Sequence, residues 1–204
     1  MPRISVESVM VGEIGVNCYI VTNMETNACF LVDPGAEAET IIAKVGERRA
    51  EAVLLTHGHF DHIGAVDDVC AHYGIPCYIQ EADASKLTDP VANVSALFGR
   101  PLVQHTQPVL LTGTEKLTLA GMELELMHTP GHTEGGLCCL LPDHQGVLTG
   151  DTLFAHGYGR TDFPGGDFGL LFQSLKALFR LAPKRVCYPG HDGPGLVGRN
   201  PVGE

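Results

Sequence analysis

The apolar residues of this chain fall into short runs bounded by turn signals, and helical spacing appears only between them. Ile4 to Val11, Asn17 to Thr22 and Cys29 to Val32 read as strands, the third closing on Asp33-Pro34-Gly35. Glu37 to Arg48 carries Ile41, Ile42 and Val45 at helical spacing. Ala52-Val53-Leu54-Leu55 is a continuous apolar run and reads as a buried strand. Ala65, Val66, Val69, Cys70 and Tyr73 then predict an amphipathic helix, followed by a strand at Pro76 to Ile79. From Glu81 to Gln107 the pattern weakens and Pro90, Gly99, Pro101 and Pro108 interrupt it, so irregular helical pieces or a covering segment are expected. Strand signals return at Val109 and continue through Lys116 to Leu119, Met122 to Met127, Gly136 to Leu141 and Gly146 to Leu148. A last helix is expected from about Phe168 to Leu181, with Leu170, Leu171, Leu175, Leu178 and Phe179 inward. Asp167 would cap it and Pro183 would stop it, before a closing strand at Lys184 to Cys187. Two strand-rich halves, each ending in helices, predict an α/β fold with two sheets face to face and helices outside.

Chemistry gathers at the strand ends. The run Thr56-His57-Gly58-His59-Phe60-Asp61-His62 follows the Ala52–Leu55 strand and precedes a helix, the place where open α/β folds put their sites. Three imidazoles and a carboxylate are ligands that suit Zn²⁺, Fe²⁺ or Mn²⁺. Three further signals follow strand-like runs: Thr129-Pro130-Gly131-His132, Thr149-Gly150-Asp151 and Tyr188-Pro189-Gly190-His191. Each sets one potential ligand beside glycine, which lets backbone approach a crowded centre. His57, His59, Asp61, His62, His132, Asp151 and His191 together suffice for two divalent ions sharing one carboxylate, zinc first, with iron or manganese as alternatives.

Composition narrows the partners. With 204 residues, 44% of them hydrophobic, the chain is expected to form a single domain over residues 1–204. It has no run of about 18 apolar residues and no apolar leader stretch after Met1, so a cytoplasmic protein outside the membrane is expected. The seven cysteines are odd in number and form no CxxC pair, which favours buried free thiols. A formal charge of −11, without a basic cluster longer than Arg48-Arg49 or Lys184-Arg185, argues against nucleic acid as a partner. Bound divalent ions would still leave the loop able to attract a small anionic substrate.

The ordered set His57-x-His59-x-Asp61-His62, His132, Asp151 and His191 resembles the metallo-β-lactamase superfamily over roughly residues 3 to 191. Thr149 to Phe154 and Gly159 to Gly166 look like the short glyoxalase II-like (hydroxyacylglutathione hydrolase-like) enzymes of that superfamily. The resemblance implies a four-layer αβ/βα sandwich with the metals in a groove at one edge. It assigns His57, His59 and His132 to one metal, Asp61, His62 and His191 to the other, and Asp151 to the bridge. It implies thioester hydrolysis by a metal-bridging hydroxide, with Asp61 also able to orient that hydroxide and a glutathione or other thiol conjugate as substrate.

Full-length glyoxalase II enzymes carry a C-terminal glutathione-binding helical domain. The sequence ends thirteen residues after His191, at Arg199 to Glu204, so that domain is expected to be absent. Where glyoxalase II has a Lys and a Tyr for glutathione, this chain runs Gly159-Arg160-Thr161-Asp162-Phe163. Arg160 is a candidate for a substrate carboxylate or for an ion pair with Asp162, and His156 is a candidate pocket residue. Asp33, His128 and Asp162 are candidates to support the ligands from behind. The Gly159–Phe163 stretch and Tyr188-Pro189-Gly190-His191-Asp192 also resemble persulfide dioxygenases, which would hold one iron by His57, His132 and Asp151. A non-catalytic metal-binding module is the third reading, and it predicts a missing ligand.

Overall fold

Strands buried on both faces dominate the first half of the chain, and their alternation assigns each residue to a layer. The structure, a computed structural model, describes residues 2–197. Met1 and residues 198–204 lie outside the described residues, and with them the segment bearing the expectation of a missing C-terminal helical domain. The order is β1 (Ile4–Val11), β2 (Val16–Asn23), β3 (Ala28–Val32), α1 (Ala38–Val45), β4 (Arg49–Leu54), α2 (Phe60–Ile63), α3 (Val66–Tyr73) and β5 (Cys77–Gln80). After two 3-10 pieces, Glu81–Leu87 and Ser95–Phe98, come β6 (Val109–Leu111), β7 (Lys116–Leu119), β8 (Met122–His128), β9 (Leu137–Leu140), β10 (Val147–Gly150), α4 (Phe168–Leu181), β11 (Val186–Pro189) and β12 (Gly195–Leu196).

The strands form two mixed six-stranded sheets, β1 to β6 in chain order and β12-β11-β10-β9-β8-β7. In β2, Tyr19 and Val21 face the second sheet and meet Phe30, Leu54, Met122, Leu124 and Leu148 in the central core. Cys18 and Ile20, one residue out of phase, face the outer core with Ile41 of α1 and Val66 and Val69 of α3. On the far side Leu171, Leu175 and Leu178 of α4 cover Cys138, Leu140, Val147 and Cys187. This is the αβ/βα sandwich that the sequence implies. All seven cysteines are buried free thiols, and burial pushes the Cys29 and Cys138 thiols up to about 11.

The first helix is shorter than Glu37 to Arg48, because Glu37 takes a left-handed conformation before it and Gly46 ends it at φ 59°. Asp167 caps α4, its side chain accepting from Leu170 N at 2.9 Å. Asp167→Ala is expected to cost about 1 kcal/mol of stability, read as a lower denaturation midpoint with an unchanged slope. No helix among the described residues is long and apolar enough to cross a membrane.

Topology brings the strand ends together. β3, β4 and β5 are parallel, so Asp33, the His57–His62 loop and the turn after Gln80 leave the first sheet at one edge. β8 and β10 are each antiparallel to β9, and β11 is parallel to β10, so His132, Asp151 and His191 leave the second sheet at one edge as well. Asn17, at the start of antiparallel β2, donates to Pro189 O at 3.0 Å and Asp192 O at 2.8 Å, and Tyr19 donates its hydroxyl to Pro189 O at 2.8 Å. These bonds lock the two edges against each other.

Candidate metal centre

Three imidazole nitrogens meet at one point. His57 Nε2 lies 3.1 Å from His59 Nδ1, which lies 2.9 Å from His132 Nε2. Nitrogens placed tetrahedrally around a zinc ion at its usual bond length would be about 3.3 Å apart, so this spacing needs only slight opening to hold one. The hydrogen bonds behind the rings fix their tautomers. Thr56 donates its hydroxyl to Asp33 Oδ2 at 2.6 Å, so Thr56 Oγ1 is left to accept from His57 Nδ1 at 3.1 Å. His132 Nδ1 donates to the Arg160 carbonyl at 2.7 Å. Both Nε2 atoms therefore turn lone pairs inward, and His59 can offer at most one proton to the group. Burial, followed by the neighbouring imidazoles, holds His57 and His59 well below the ordinary histidine range. They are neutral, as ligands must be.

The second group mixes imidazole and carboxylate. His62 Nδ1 donates to Asp33 Oδ2 at 2.9 Å, which aims His62 Nε2 at the Asp61 and Asp151 carboxylates, 3.6 and 3.5 Å away. His191 Nε2 stands 3.3 Å from Asp61 Oδ2. The Asp151 carboxylate lies between the groups, Oδ2 being 3.5 Å from His132 Nε2 and 3.6 Å from His191 Nε2. His62 Nε2 and Asp151 Oδ1 are buried and make no hydrogen bond. Burial opposes charge on His62, but Asp61, Asp151 and Asp33 together raise its pKa to about 10. Carboxylates that favour a proton there favour a divalent cation in the same place. The donor set fits metal ions.

Two glycines make the convergence possible. A Cβ on Gly190 would collide with the Asp151 carboxylate and the His62 ring, and one on Gly159 with the Asp151 carbonyl and the His132 ring. Over the donors opens a groove of about 400 Å³, lined by Phe154, Tyr158, Arg160 and Phe163 on one side and by Phe60 and Phe98 on the other.

The family model of the metallo-beta-lactamase superfamily matches residues 11–191. The chain belongs to this superfamily. It is 32% identical to hydroxyacylglutathione hydrolase GloC of Haemophilus influenzae over 96% of this chain and 94% of that one. Among solved structures, BLEG-1 B3 metallo-beta-lactamase superposes with a TM-score of 0.91 at 34% identity, covering 96% of this chain and 95% of that one. TTHA1623 in a di-iron-bound form superposes with a TM-score of 0.84 at 32% identity, covering 96% of this chain and 98% of that one. Proteins of the metallo-beta-lactamase superfamily bind divalent metals, and the histidine clusters of this chain agree with that.

Around this superfamily site the supporting residues differ from expectation in three places. Asp162 does not orient an imidazole. Its carboxylate accepts two bonds of 2.6 Å from Arg160, and the Arg160 backbone carbonyl holds His132 instead. His156 is exposed and does not line the groove, because the Phe154–Gly157 bridge turns Phe154 and Tyr158 toward the donors. His128 donates to or accepts near no ligand; its Nε2 lies 2.8 Å from the Glu134 carbonyl and braces the His132 loop. Arg160 lines the groove with its guanidinium committed to Asp162 and stacked 3.9 Å over the Phe163 ring. Asp33 stands behind the loop, accepting from Thr56 N at 2.8 Å as well as from the Thr56 hydroxyl and His62.

Asp83 is a supporting residue that the sequence pattern does not single out. Fully buried, its carboxylate accepts from Gly58 N at 2.8 Å, Thr133 Oγ1 at 2.7 Å and Gly135 N at 2.8 Å, with Lys86 Nζ 3.3 Å away. It thereby clamps the His57–His59 loop to the His132 loop. Asp83→Ala is expected to weaken metal binding by about 10- to 100-fold. Asp83→Asn, which keeps one acceptor, should lose less; competition with a chromogenic chelator reads both.

Proposed function

We propose that this chain is a metal-dependent hydrolase of thioesters. One observation carries the reading: seven donors from four loops converge, and hydrogen bonds from behind fix the rings of His57, His62 and His132. In this reading His57, His59 and His132 would hold one divalent ion and Asp61, His62 and His191 a second, with Asp151 facing both. Such ions would supply Lewis-acid chemistry, namely an acidified water near neutral pH, a polarised carbonyl and a partner for a thiolate leaving group. The chain supplies the rest. Asp61 faces the groove and can also accept a hydrogen bond from the attacking water, which would fix its direction. Phe154, Tyr158 and Phe163 narrow the groove, shield the reacting carbonyl from bulk water and strengthen the local electrostatics.

The likeness to GloC supports a thiol conjugate such as a hydroxyacylglutathione as one substrate. Zinc is the metal we propose, since neutral imidazole and carboxylate suit it, with iron as the alternative that the di-iron form of TTHA1623 raises. The test is one preparation assayed three ways: hydrolysis of S-D-lactoylglutathione and simple acyl thioesters, hydrolysis of a chromogenic cephalosporin, and oxygen uptake with glutathione persulfide. Thioester hydrolysis that a chelator abolishes and zinc restores is the expected result. Oxygen uptake with one iron per chain, or cephalosporin turnover without thioester turnover, would replace this reading.

A further inference from the structure

A second hollow opens beside the metal groove. It has a volume of about 540 Å³ and shares Ile14, Phe60, Asp61 and Phe98 with the groove over the donors. Its walls are the β1–β2 turn, the Pro34–Ala36 bend and the covering segment after Phe98. Val11, Ile14, Ala36, Phe60, Phe98 and Leu102 make its surface largely hydrocarbon.

Its polar groups are already engaged. Arg100 pairs with Glu13 at 2.9 Å, which ties the turn to the covering segment. Glu37 accepts from Gly12 N at 2.9 Å, and Asp61 is taken up by His191 and His62. Between these pairs the lining of the hollow is mainly apolar. Ile14 is 48% and Phe98 52% exposed, at the mouth that the two hollows share.

From this continuity we infer that the hollow is the acyl subsite, and that the preferred substrates are thioesters of apolar acyl groups of medium length. The inference rests on the thioester reading. A thioester has two arms meeting at the scissile carbonyl, and two hollows meet at the donors. The acyl arm can be plain hydrocarbon, whereas the thiol of a water-soluble carrier is attached to polar groups. The apolar hollow suits the first, which leaves the groove, with the exposed Arg160–Asp162 pair at its mouth, to the second. Each methylene placed in a half-open apolar site should raise kcat/KM by about two- to threefold.

Two measurements on the metal-loaded protein test this. The first compares kcat/KM for acetyl, butanoyl and hexanoyl thioesters of glutathione, in the wild type and in Phe98→Ala. Hexanoyl should exceed acetyl by about tenfold or more. Phe98→Ala should remove most of that advantage, read as the ratio of the hexanoyl to the acetyl value within the variant. The second reads binding alone, by calorimetry with the S-methyl and S-hexyl thioethers of glutathione, which cannot be hydrolysed. The hexyl compound should bind more tightly by a similar factor, and Phe98→Ala should erase the difference. Equal binding of the two thioethers overturns the subsite whatever the activity. Thioether discrimination without hydrolysis of any thioester leaves the subsite standing and removes the thioester reading. Because Phe98 is half exposed, its truncation leaves the core intact, and an unchanged melting temperature checks this.

Discussion

Asp151→Ala is expected to lower kcat/KM for thioester hydrolysis on the order of 10³-fold, the equivalent of losing several kcal/mol of charge stabilisation by correctly held metals. Bound metal should fall in the same preparation, because Asp151 is the residue whose carboxylate faces both donor groups, at 3.5 Å from His132 and 3.6 Å from His191. Folding should survive. Asp151 Oδ1 accepts no hydrogen bond, and the carboxylate meets its imidazole neighbours only at 3.5–3.6 Å, so its removal breaks no hydrogen bond of the fold. Metal content by elemental analysis and melting by circular dichroism separate the two effects. Full activity in this variant would mean that the carboxylate does not hold the metals.

Asp33→Ala is expected to act in the opposite order, on the fold first. Asp33 is 1% exposed, and its carboxylate accepts from Thr56 N, the Thr56 hydroxyl and His62 Nδ1. Truncation leaves three buried donors unsatisfied and is expected to cost about 3–5 kcal/mol. It also frees the His57 and His62 tautomers, so metal affinity should fall alongside stability. Asp33→Asn can still accept from Thr56 N, but its amide cannot accept from His62 while donating. It should therefore fold better than the alanine variant and bind metal nearly as poorly. Denaturant unfolding of the metal-free proteins measures the first effect, and chelator competition measures the second.

The parts of the site legible in the sequence share one property: each stands just after a strand-like run. That holds for His132, Asp151, His191 and the His57–His62 loop. Topology explains why the rule works, since β3 to β5 in one sheet and β8, β10 and β11 in the other end at the same edge. Asp83 escaped because it lies in a weakly patterned stretch and its partners Gly58, Thr133 and Gly135 are 25 to 52 positions away. The same strand-end rule applied to β5, which closes at Gln80, would have pointed to it. Asn17 and Tyr19 escaped for a similar reason: they look like ordinary strand residues, and their work is on the second sheet's backbone. The short β12 carries no pattern to read. Asp162 and His156 misled because proximity in sequence to Asp151 and Arg160 says nothing about which way a loop side chain turns.

The central claim is that these seven residues form one dinuclear centre. Its most direct test is calorimetric titration of the metal-free protein with Zn²⁺ at neutral pH. About two ions should bind per chain, with a proton released to the buffer as metal takes its place on His62. His59→Ala and His191→Ala should each reduce the count to about one. Saturation of the wild type at a single ion, or a stoichiometry unchanged in both variants, would contradict it.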